Sequence, residues 1–499
     1  MRRLDDAQLY RALRSHDARF DGVFFAGITS TRIYCRPVCR APAARAENCR
    51  FFFSAAAAER RGFRPCLRCR PELAPASPTH ADAPHAGDAS VDAVARLARD
   101  AATRIAAGAL DGATIDRLAG ELGVTGRHLR RAVSRELGVT PVELAQTRRL
   151  LMAKRLLADS ALPLAQVALA SGFSSVRRFN TLFRERYRLT PGDVRRRAVV
   201  PQDAPDSIVL SLAYRPPYDW PAMLAHLTAR ATPGVELVTT DGVYRRTIRI
   251  GERTGHVAVR PSPGKDAHSL RVELSPSLLP VLAPLLARMR SLLDLDADPH
   301  AVSSHLKKDA TLAPLVARRP GLRVAGAADP FELALRAVLG QQVTVRGATT
   351  LAGRVARSIG EASPAGTPAE LTRLPVSAAR LADAKPSSLT MLGLTRARAE
   401  CVVMLARAVA DGTLPELASD GACTDPASFV RRFVTLPGIG PWTAEYVAMR
   451  ALRWPDAFPA GDLGLRKAMG GLTPARLRAA SEPWRPWRAY AAQQLWASL

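Results

Sequence analysis

Apolar and polar positions follow different periods in different parts of the 499-residue chain. Across residues 88–197, and again from Asp329 onward, apolar residues recur at the three-to-four-residue spacing of amphipathic helices, and Gly or Pro marks the turns. Between these regions, β-rich runs at 208–213 and 243–250 flank a helical stretch near 223–231. The pattern predicts helical domains on both sides of an α+β domain.

The length exceeds the roughly 100 to 200 residues that one domain uses, and segments 73–90 and 199–207, rich in Pro, Ala and Asp, are typical of linkers. The 71 Lys and Arg against 45 Asp and Glu give a net charge of +26, which indicates a polyanionic partner, with nucleic acid as the first candidate. No apolar run approaches the roughly 18 residues of a membrane-spanning helix, which excludes a membrane role. The N-terminal segment has no apolar stretch of a secretion signal, so we expect a reducing cytoplasm.

Four of the seven cysteines form two close pairs, Cys35 with Cys39 and Cys66 with Cys69. Pairs spaced in this way can bind one metal from two tight turns, and tetrahedral zinc suits four thiolates best. Two disulfides, which the expected compartment disfavours, and unrelated buried thiols are the alternatives. Cys49 lies between the pairs and is not expected to be a ligand.

The residues around these cysteines carry a family pattern, YCRPVCR at 34–40 and GFRPCLRC at 62–69. Over about residues 5–75 the chain resembles the N-terminal domain of the Ada family of adaptive-response proteins. The resemblance implies that Cys35 accepts a methyl group irreversibly from a methylated DNA phosphotriester, as a zinc-bound thiolate remains nucleophilic. Methylation would also remove negative charge that faces DNA phosphates and so favour DNA binding. A purely structural zinc is the alternative.

Residues 88–197 contain two similar patterns, IDRLA, LGVT and LRR within 115–131 and GFSS with a following FR and Tyr187 within 164–191. Each predicts a short apolar helix, a Gly-containing turn, and a Ser or Thr that caps a second, Arg-rich helix. The second pattern resembles the DNA-binding domain of AraC-type regulators, whereas a solvated basic helical bundle is the alternative. The arginines expected to contact bases or phosphates are Arg127, Arg130, Arg131, Arg177 and Arg178.

The sequence LPGIG at 436–440 lies between two apolar helices and is followed by a proline at a first helical position. This pattern predicts a helix-hairpin-helix. Gly438 and Gly440 allow close approach of the backbone, so that N–H groups from Leu436 to Gly440 can hold a DNA phosphate without sequence preference.

PWTAEY at 441–446 and FPAGD at 458–462 follow the hairpin. This arrangement resembles the helix-hairpin-helix glycosylase superfamily, and the resemblance makes Asp462 the catalytic aspartate. Its implied role is to stabilise positive charge that develops on the deoxyribose and to orient water. The alternative is that Asp462 only caps the helix that begins near Leu463.

RPPYDW at 215–220, LGQQV at 339–343 and WRPW at 484–487 resemble the AlkA-type 3-methyladenine DNA glycosylases, and the resemblance covers roughly 208–499. It implies a flipped base held among Trp442, Tyr446 and Trp496, whose electron-rich rings attract a cationic alkylated purine. Strand-cleaving relatives carry a lysine where this chain has Trp442, so no lyase activity is expected. An iron–sulfur cluster is not expected either, because no cysteine follows Asp462.

Three positions depart from this family's pattern. Gln342 stands where a leucine fills the gap left by the flipped base, His226 replaces a pocket phenylalanine, and Leu463 replaces a tyrosine. The expected pocket is therefore less aromatic, and its preference among alkylated bases is open.

These resemblances together predict a multidomain protein that senses methylation, activates transcription of repair genes and excises alkylated bases. One zinc ion is the expected cofactor, and double-stranded DNA and RNA polymerase are the expected partners. The competing hypothesis is a transcription factor whose C-terminal half only binds damaged DNA. The expected domains are a small zinc-bound α/β domain at 1–76, an all-α double helix-turn-helix domain at 88–197, an α+β antiparallel-sheet domain at 207–325 and an all-α helix-hairpin-helix glycosylase domain at 326–499.

Overall fold

The computed structural model describes residues 5–76, 89–197, 208–264, 268–418, 423 and 425–499. The predicted linkers fall largely outside these ranges, and the boundaries of the four expected domains stay predictions. Within the described ranges, no helix is long and apolar enough to cross a membrane. The chain forms two compact units: the first holds residues 1–216, 262–287 and 295–298, and the second holds 217–261, 288–294 and 299–499.

The N-terminal part of the first unit is a small α/β fold. A capping box closed by Asp5 and Gln8 starts its first helix. The elements are α1 (Asp6–Arg14), β1 (Phe25–Ile28), β2 (Ile33–Cys35), β3 (Cys49–Phe52), α2 (Ala55–Arg60) and β4 (Arg64–Pro65). The sheet order is β3-β1-β2-β4, with β2 and β4 parallel and the other pairs antiparallel. The predicted α/β architecture is confirmed.

The next region is all-α and contains two helix-turn-helix pairs, which confirms the architecture that both patterns predicted. Gly123 and Gly172 adopt the positive φ that each turn requires, at 69° and 91°. Thr125 and Ser175 then cap the second helix of each pair. The elements are α3 (Ala89–Ala106), α4 (Ile115–Glu121), α5 (Gly126–Leu137), α6 (Pro141–Asp159), α7 (Leu164–Ala170), α8 (Val176–Tyr187) and α9 (Pro191–Arg196). The long helix α6 joins the α4–α5 pair to the α7–α8 pair.

Antiparallel strands follow, which agrees with the predicted α+β architecture. The elements are β5 (Ile208–Ala213), α10 (Trp220–Arg230), β6 (Glu236–Val238), β7 (Tyr244–Ile250), β8 (Arg253–Pro261) and β9 (Ser269–Leu274). In the first unit β5 pairs with β9, with Ile208 opposite Leu274. In the second unit β6, β7 and β8 pair consecutively. Alternate residues of β5 and β9 are buried, which is the period of a strand with one face in the core.

The remainder is helical, apart from an isolated bridge between Ala362 and Arg373. Its helices are α11 (Leu282–Leu292), α12 (Pro299–Leu306), α13 (Ala313–Arg318), α14 (Pro330–Leu339), α15 (Val345–Ile359), α16 (Ala378–Ala382), α17 (Pro386–Thr390), α18 (Arg396–Ala410), α19 (Pro426–Phe433), α20 (Pro441–Arg450), α21 (Leu463–Ala468), α22 (Pro474–Ala480) and α23 (Arg488–Trp496). The predicted helix-hairpin-helix corresponds to α19 and α20, and Pro441 is the first residue of α20.

A column of aromatic rings stabilises helix α8. Phe173, Phe179, Phe183 and Tyr187 follow one another with centroid separations of 5.3, 5.5 and 4.8 Å. Phe179, Phe183 and Tyr187 are spaced four residues apart, so they lie on one face of the helix. All are buried, and this face is the core of the second helix-turn-helix pair.

Phe179→Ala is expected to lower the free energy of unfolding of this pair by about 3 to 5 kcal/mol, because it leaves a cavity between two rings. Leu169→Ala, on the neighbouring helix α7, shortens a side chain that is 60% exposed. It is expected to change that free energy by less than about 0.5 kcal/mol. Hydrogen exchange of the α8 amides measures both, and equal protection in the two variants would contradict the assigned core.

Candidate functional sites

The parallel pairing of β2 with β4 brings the two cysteine pairs together. Tyr34 lies opposite Pro65, so the residues that follow them, Cys35 and Cys66, lie side by side at the same end of the sheet. The N–H of Cys66 donates to the carbonyl of Tyr34 at 3.0 Å. A two-residue parallel ladder therefore positions both turns that carry the thiols.

The sulfurs of Cys35, Cys39, Cys66 and Cys69 all lie within 4.8 Å of one another. Hydrogen bonds from Cys35 lower the pKa of Cys39, to about 7, and that of Cys66. The pKa values of Cys35 and Cys69 are raised, mainly by thiol hydrogen bonds with Cys39 and Cys35 respectively. Four negative charges cannot share so small a space without a cation, and four thiolates are the donor set that zinc prefers.

The surroundings of this cluster distinguish its members. Cys39 and Cys66 are buried, whereas Cys35 and Cys69 are partly exposed. Cys49 lies outside the cluster, and its thiol donates to the carbonyl of Arg45 at 3.4 Å. The prediction that Cys49 is not a ligand agrees with this position.

Arg36 supports the cluster in a way that the spacing of the cysteines did not reveal. Its backbone N–H donates to Sγ of Cys69 at 3.3 Å, and its guanidinium donates to the carbonyl of Cys69 at 3.1 Å. Asp21 fixes the guanidinium through an ion pair. The only sequence signal for this role is the position of Arg36 directly after Cys35.

The five predicted arginines lie on the second helices of the two pairs. Arg127, Arg130 and Arg131 are exposed near the start of α5, and Arg177 and Arg178 are exposed at the start of α8. The N-terminal part of the second helix is the part that contacts base edges in helix-turn-helix proteins. Their roles in binding stay predictions.

The hairpin between α19 and α20 depends on its first glycine. Gly438 has a φ of +83°, and a Cβ there would lie 3.0 Å from Sγ of buried Cys401. Gly440 caps α20 without a side chain, and Leu436 accepts the N–H of Ile439 at 3.0 Å. The turn therefore presents backbone at an exposed helix N-terminus, which suits a phosphate.

Asp462 receives hydrogen bonds on both carboxylate oxygens. The indole N–H groups of Trp496 and Trp442 donate to Oδ1 and Oδ2 at 2.8 and 2.9 Å. The N–H of Leu465 donates to Oδ1 at 3.0 Å, so Asp462 also caps α21. The two interpretations of this residue are therefore compatible, and Leu463 beside it is 76% exposed. The structure brings together the aspartate and both tryptophans that the sequence singled out.

Tyr446 lies between a ring and a cation. Its ring stacks on Trp442 with centroids 5.2 Å apart and planes 15° apart. The guanidinium of Arg450 lies 5.0 Å from the Tyr446 centroid and 5.6 Å from that of Trp496. Trp442, Tyr446 and Arg450 are spaced four residues apart, so they lie on one face of α20. This spacing could have indicated the contact of Arg450 with Tyr446 from the sequence. A fixed cation therefore already occupies part of the aromatic surface.

Hydrogen bonds hold the Arg450 guanidinium in place, and its charge lowers the pKa of Tyr446. It is fully buried and donates to the carbonyl of Ala325 at 2.7 Å and to Oε1 of Gln493 at 3.2 Å. Burial would raise the pKa of Tyr446, but the charges of Arg450, Arg230 and Arg336 outweigh it and lower that pKa.

Beside Tyr446 lies a cavity of about 90 Å³ whose polar lining includes His226, Arg230 and Arg336. Burial, reinforced by the neighbouring arginines, holds the pKa of His226 well below its usual value. His226 is therefore neutral at pH 7 and adds no positive charge to this cavity.

Gln342 lies at the exposed tip of the turn between α14 and α15, with a φ of +54°. The preceding residue anchors this turn, because the amide of Gln341 donates to the carbonyl of Gly438 and to Oγ1 of Thr443, at 2.9 and 3.0 Å. Arg398 also donates to the carbonyl of Gln341 at 2.5 Å. Gln342 is thus presented by a turn that is bound to the hairpin.

Comparison with known families assigns three parts of the chain. The metal-binding domain of Ada matches residues 8–72, a helix-turn-helix domain matches 118–197, and the AlkA N-terminal domain matches 209–329. With the cysteine cluster and the helix-hairpin-helix, they define a zinc-containing regulator joined to a glycosylase-like domain.

Two curated relatives are informative. A Mycobacterium tuberculosis protein named as a probable bifunctional transcriptional activator/DNA repair enzyme AlkA is 40% identical over 99% of this chain and 97% of its own. The Escherichia coli DNA-3-methyladenine glycosylase 2 is 40% identical over 57% of this chain and 96% of its own. The chain therefore belongs to the family of AlkA-type bifunctional transcriptional activator/DNA repair enzymes.

Among solved structures, the chain is similar to a 3-methyladenine DNA-glycosylase from Archaeoglobus fulgidus. The TM-score is 0.49 and the sequence identity 21%, and the similarity covers 57% of this chain and 97% of that one.

The four clustered cysteines form a zinc site, and substitutions should distinguish these ligands from Cys49. We expect one zinc per wild-type chain after dialysis against EDTA. Cys66→Ser should lose the metal, because three thiolates and one hydroxyl bind zinc more weakly than four thiolates. Cys49→Ser serves as the matched control and should retain it. Atomic absorption measures the content, and loss of zinc from Cys49→Ser alone would contradict the assigned ligands.

Proposed function

We propose that this chain excises alkylated bases from double-stranded DNA by hydrolysis of the N-glycosidic bond, and that its N-terminal part senses DNA methylation and activates transcription. The observation that carries the repair activity is the Asp462 carboxylate, which two indole N–H groups hold at a half-buried aromatic surface.

The hydrogen bonds of Asp462 determine what it can do. A carboxylate has about four lone-pair sites, two on each oxygen. Oδ1 accepts from Trp496 and Leu465, while Oδ2 accepts from Trp442. One site on Oδ2 remains for a water molecule that attacks C1′. The negative charge itself stabilises the positive charge that develops on the deoxyribose as the base leaves.

The base would be bound at the aromatic surface of Trp442 and Trp496. Both rings are partly exposed, and the indole N–H groups orient them towards the carboxylate. A cationic alkylated purine gains cation–π attraction from such rings and is also a better leaving group than a neutral base. Tyr446 would support Trp442 from behind, because Arg450 and Trp442 already contact its ring.

The DNA itself would be held by the hairpin and by the Gln342 turn. Leu436, Gly438 and Gly440 present backbone to a phosphate, whereas Gln342 would fill the gap that the flipped nucleotide leaves. Trp442 replaces the lysine of strand-cleaving relatives, so the product should be an abasic site in an intact strand.

Asp462→Asn is expected to lower the rate of base release by at least about 100-fold, because it removes the charge that stabilises the transition state. Release of 3-methyladenine and 7-methylguanine from methylated duplex DNA is the measurement. Strand breaks from wild-type reactions should appear only after alkali.

Asp425→Asn is the matched control, since Asp425 caps α19 as Asp462 caps α21. Asn caps a helix about as well as Asp, so neither substitution removes a cap, and Asp425→Asn should retain wild-type rates. Wild-type rates in Asp462→Asn would reduce Asp462 to a cap, and equal losses in both variants would contradict a specific role for the charge of Asp462. DNA binding without release by the wild type would leave a damage-binding transcription factor.

The sensing activity would reside at Cys35. Its Sγ attacks the methyl carbon of a phosphotriester, an S–C bond forms as the C–O bond breaks, and the DNA phosphate leaves as an anion. Zinc supplies a site in which the thiolate remains deprotonated at neutral pH. Partial exposure makes Cys35 reachable, whereas Cys39 and Cys66 are buried.

The methylated protein would then bind promoter DNA more tightly, because one negative charge near the phosphates is lost. The exposed arginines of α5 and α8 would contact the DNA. Transcriptional activation requires RNA polymerase as a further partner, and we place the protein in the cytoplasm, where thiols stay reduced.

Cys35→Ala should abolish methyl transfer while leaving base release unchanged, because the two chemical steps use different residues. The measurement is the mass of the intact chain after incubation with a duplex that carries one methyl phosphotriester. Cys49→Ala, which lies outside the cluster, should still gain one methyl group. Transfer to the Cys35→Ala protein would contradict the assignment.

A further inference from the structure

A buried carboxylate connects the zinc region to the second helix-turn-helix pair and to α6, the helix that joins the two pairs. Glu59, in helix α2, is only 4% exposed. Its Oε1 accepts from the hydroxyls of Tyr34 and Tyr187 at 3.0 and 3.2 Å, and its Oε2 accepts from Thr147 at 2.9 Å. The three donors come from β2, α8 and α6, so one side chain contacts three elements.

Removing the Glu59 carboxylate from water costs free energy, and the residues around it exclude solvent. Burial raises the pKa of Glu59 to about 7, against the opposing effect of the three hydrogen bonds and Arg186. All three donor residues are themselves at most 4% exposed, so water does not compete for the carboxylate. If one donor moves, the carboxylate and the other two donors must therefore move with it to keep their hydrogen bonds.

One end of the cluster reaches the methyl acceptor. Tyr34 directly precedes Cys35, and its carbonyl accepts the N–H of Cys66 at 3.0 Å. Its backbone thus lies between the first cysteine of each pair, while its side chain extends to Glu59. A change in the geometry of the cysteine cluster therefore acts directly on Tyr34.

The other end reaches a DNA-binding helix. Tyr187 is the last residue of α8, and its ring is 4.8 Å from that of Phe183. The ring column continues through Phe179 towards the helix start, where Arg177 and Arg178 are exposed. A shift of Tyr187 would therefore move this helix as a rigid element.

We propose that Glu59 is a positioning residue that transmits the methylation of Cys35 to helix α8, through hydrogen bonds that Tyr34 and Tyr187 make to the same carboxylate oxygen. This inference rests on the proposed sensing function. It assigns the signal to a specific contact, so that methylation strengthens DNA binding by reorienting α8 in addition to changing the charge near the phosphates.

Tyr187→Phe tests the link, because it removes one hydroxyl and keeps the ring column. Thr147→Val is the matched control, since it removes a buried hydroxyl from the same carboxylate but leaves the path from Tyr34 to Tyr187 intact. The probe is a duplex selected from random sequence by the methylated wild-type protein, and affinity is compared before and after methylation. We expect a gain of at least about tenfold for wild type and Thr147→Val, and less than about threefold for Tyr187→Phe.

A second pair of variants separates positioning from stability. Glu59→Gln keeps an acceptor oxygen for both tyrosines and should retain the gain, whereas Glu59→Leu should lose it. Hydrogen exchange of α8, measured on the same proteins, should change on methylation only in the variants that retain the gain.

The outcomes distinguish this inference from the function on which it rests. A wild-type chain that acquires no methyl group contradicts the proposed sensing function. A wild-type chain that acquires it without gaining affinity overturns the coupling alone. Retention of the full gain by Tyr187→Phe or Glu59→Leu also overturns the coupling.

Discussion

A carboxylate that is removed from water must receive hydrogen bonds or a counter-charge, and the important junctions of this chain depend on that requirement. Asp462 meets it with two indole N–H groups and a backbone amide. Glu59 meets it with three hydroxyls. Glu72, almost fully buried, meets it with Lys154 at 2.5 Å. In each case the hydrogen bonds or the ion pair join elements that are distant in sequence, and they thereby fix the positions of these elements.

The same requirement has different consequences in the two units. In the second unit, the donors of Asp462 are the rings proposed to bind the base, so the carboxylate proposed to act in catalysis and that surface cannot be oriented independently. Buried Arg450 adds a fixed cation against Tyr446 and Trp496, which leaves less ring surface for a cationic base. In the first unit, the donors of Glu59 belong to β2, α6 and α8, which makes that carboxylate a structural connection between the strand that carries Cys35 and the second helix of a helix-turn-helix pair.

Much of the fold followed from local pattern. The spacing of the four cysteines, the glycines and caps of the helix-turn-helix pairs, and Pro441 after LPGIG each depend on a few adjacent residues, and each was predicted. The roles of Glu59, Arg36 and Arg450 were not predicted. Glu59 lies in an Ala-rich helix where a glutamate is ordinarily a solvated residue, and nothing near it in sequence indicates that two tyrosines and a threonine will surround it.

The sequence by itself determined which chemical groups the chain possesses and which local elements carry them, because caps, turns and metal-ligand spacings are short-range properties. Only the tertiary structure decided how those groups are oriented. Asp462 was singled out by the resemblance of 441–462 to the helix-hairpin-helix glycosylases, but its hydrogen bonds to Trp442 and Trp496 arise from the packing of α20, α21 and α23. Burial and hydrogen-bond geometry are set by contacts between elements far apart in the chain, and these contacts convert a list of reactive residues into oriented sites.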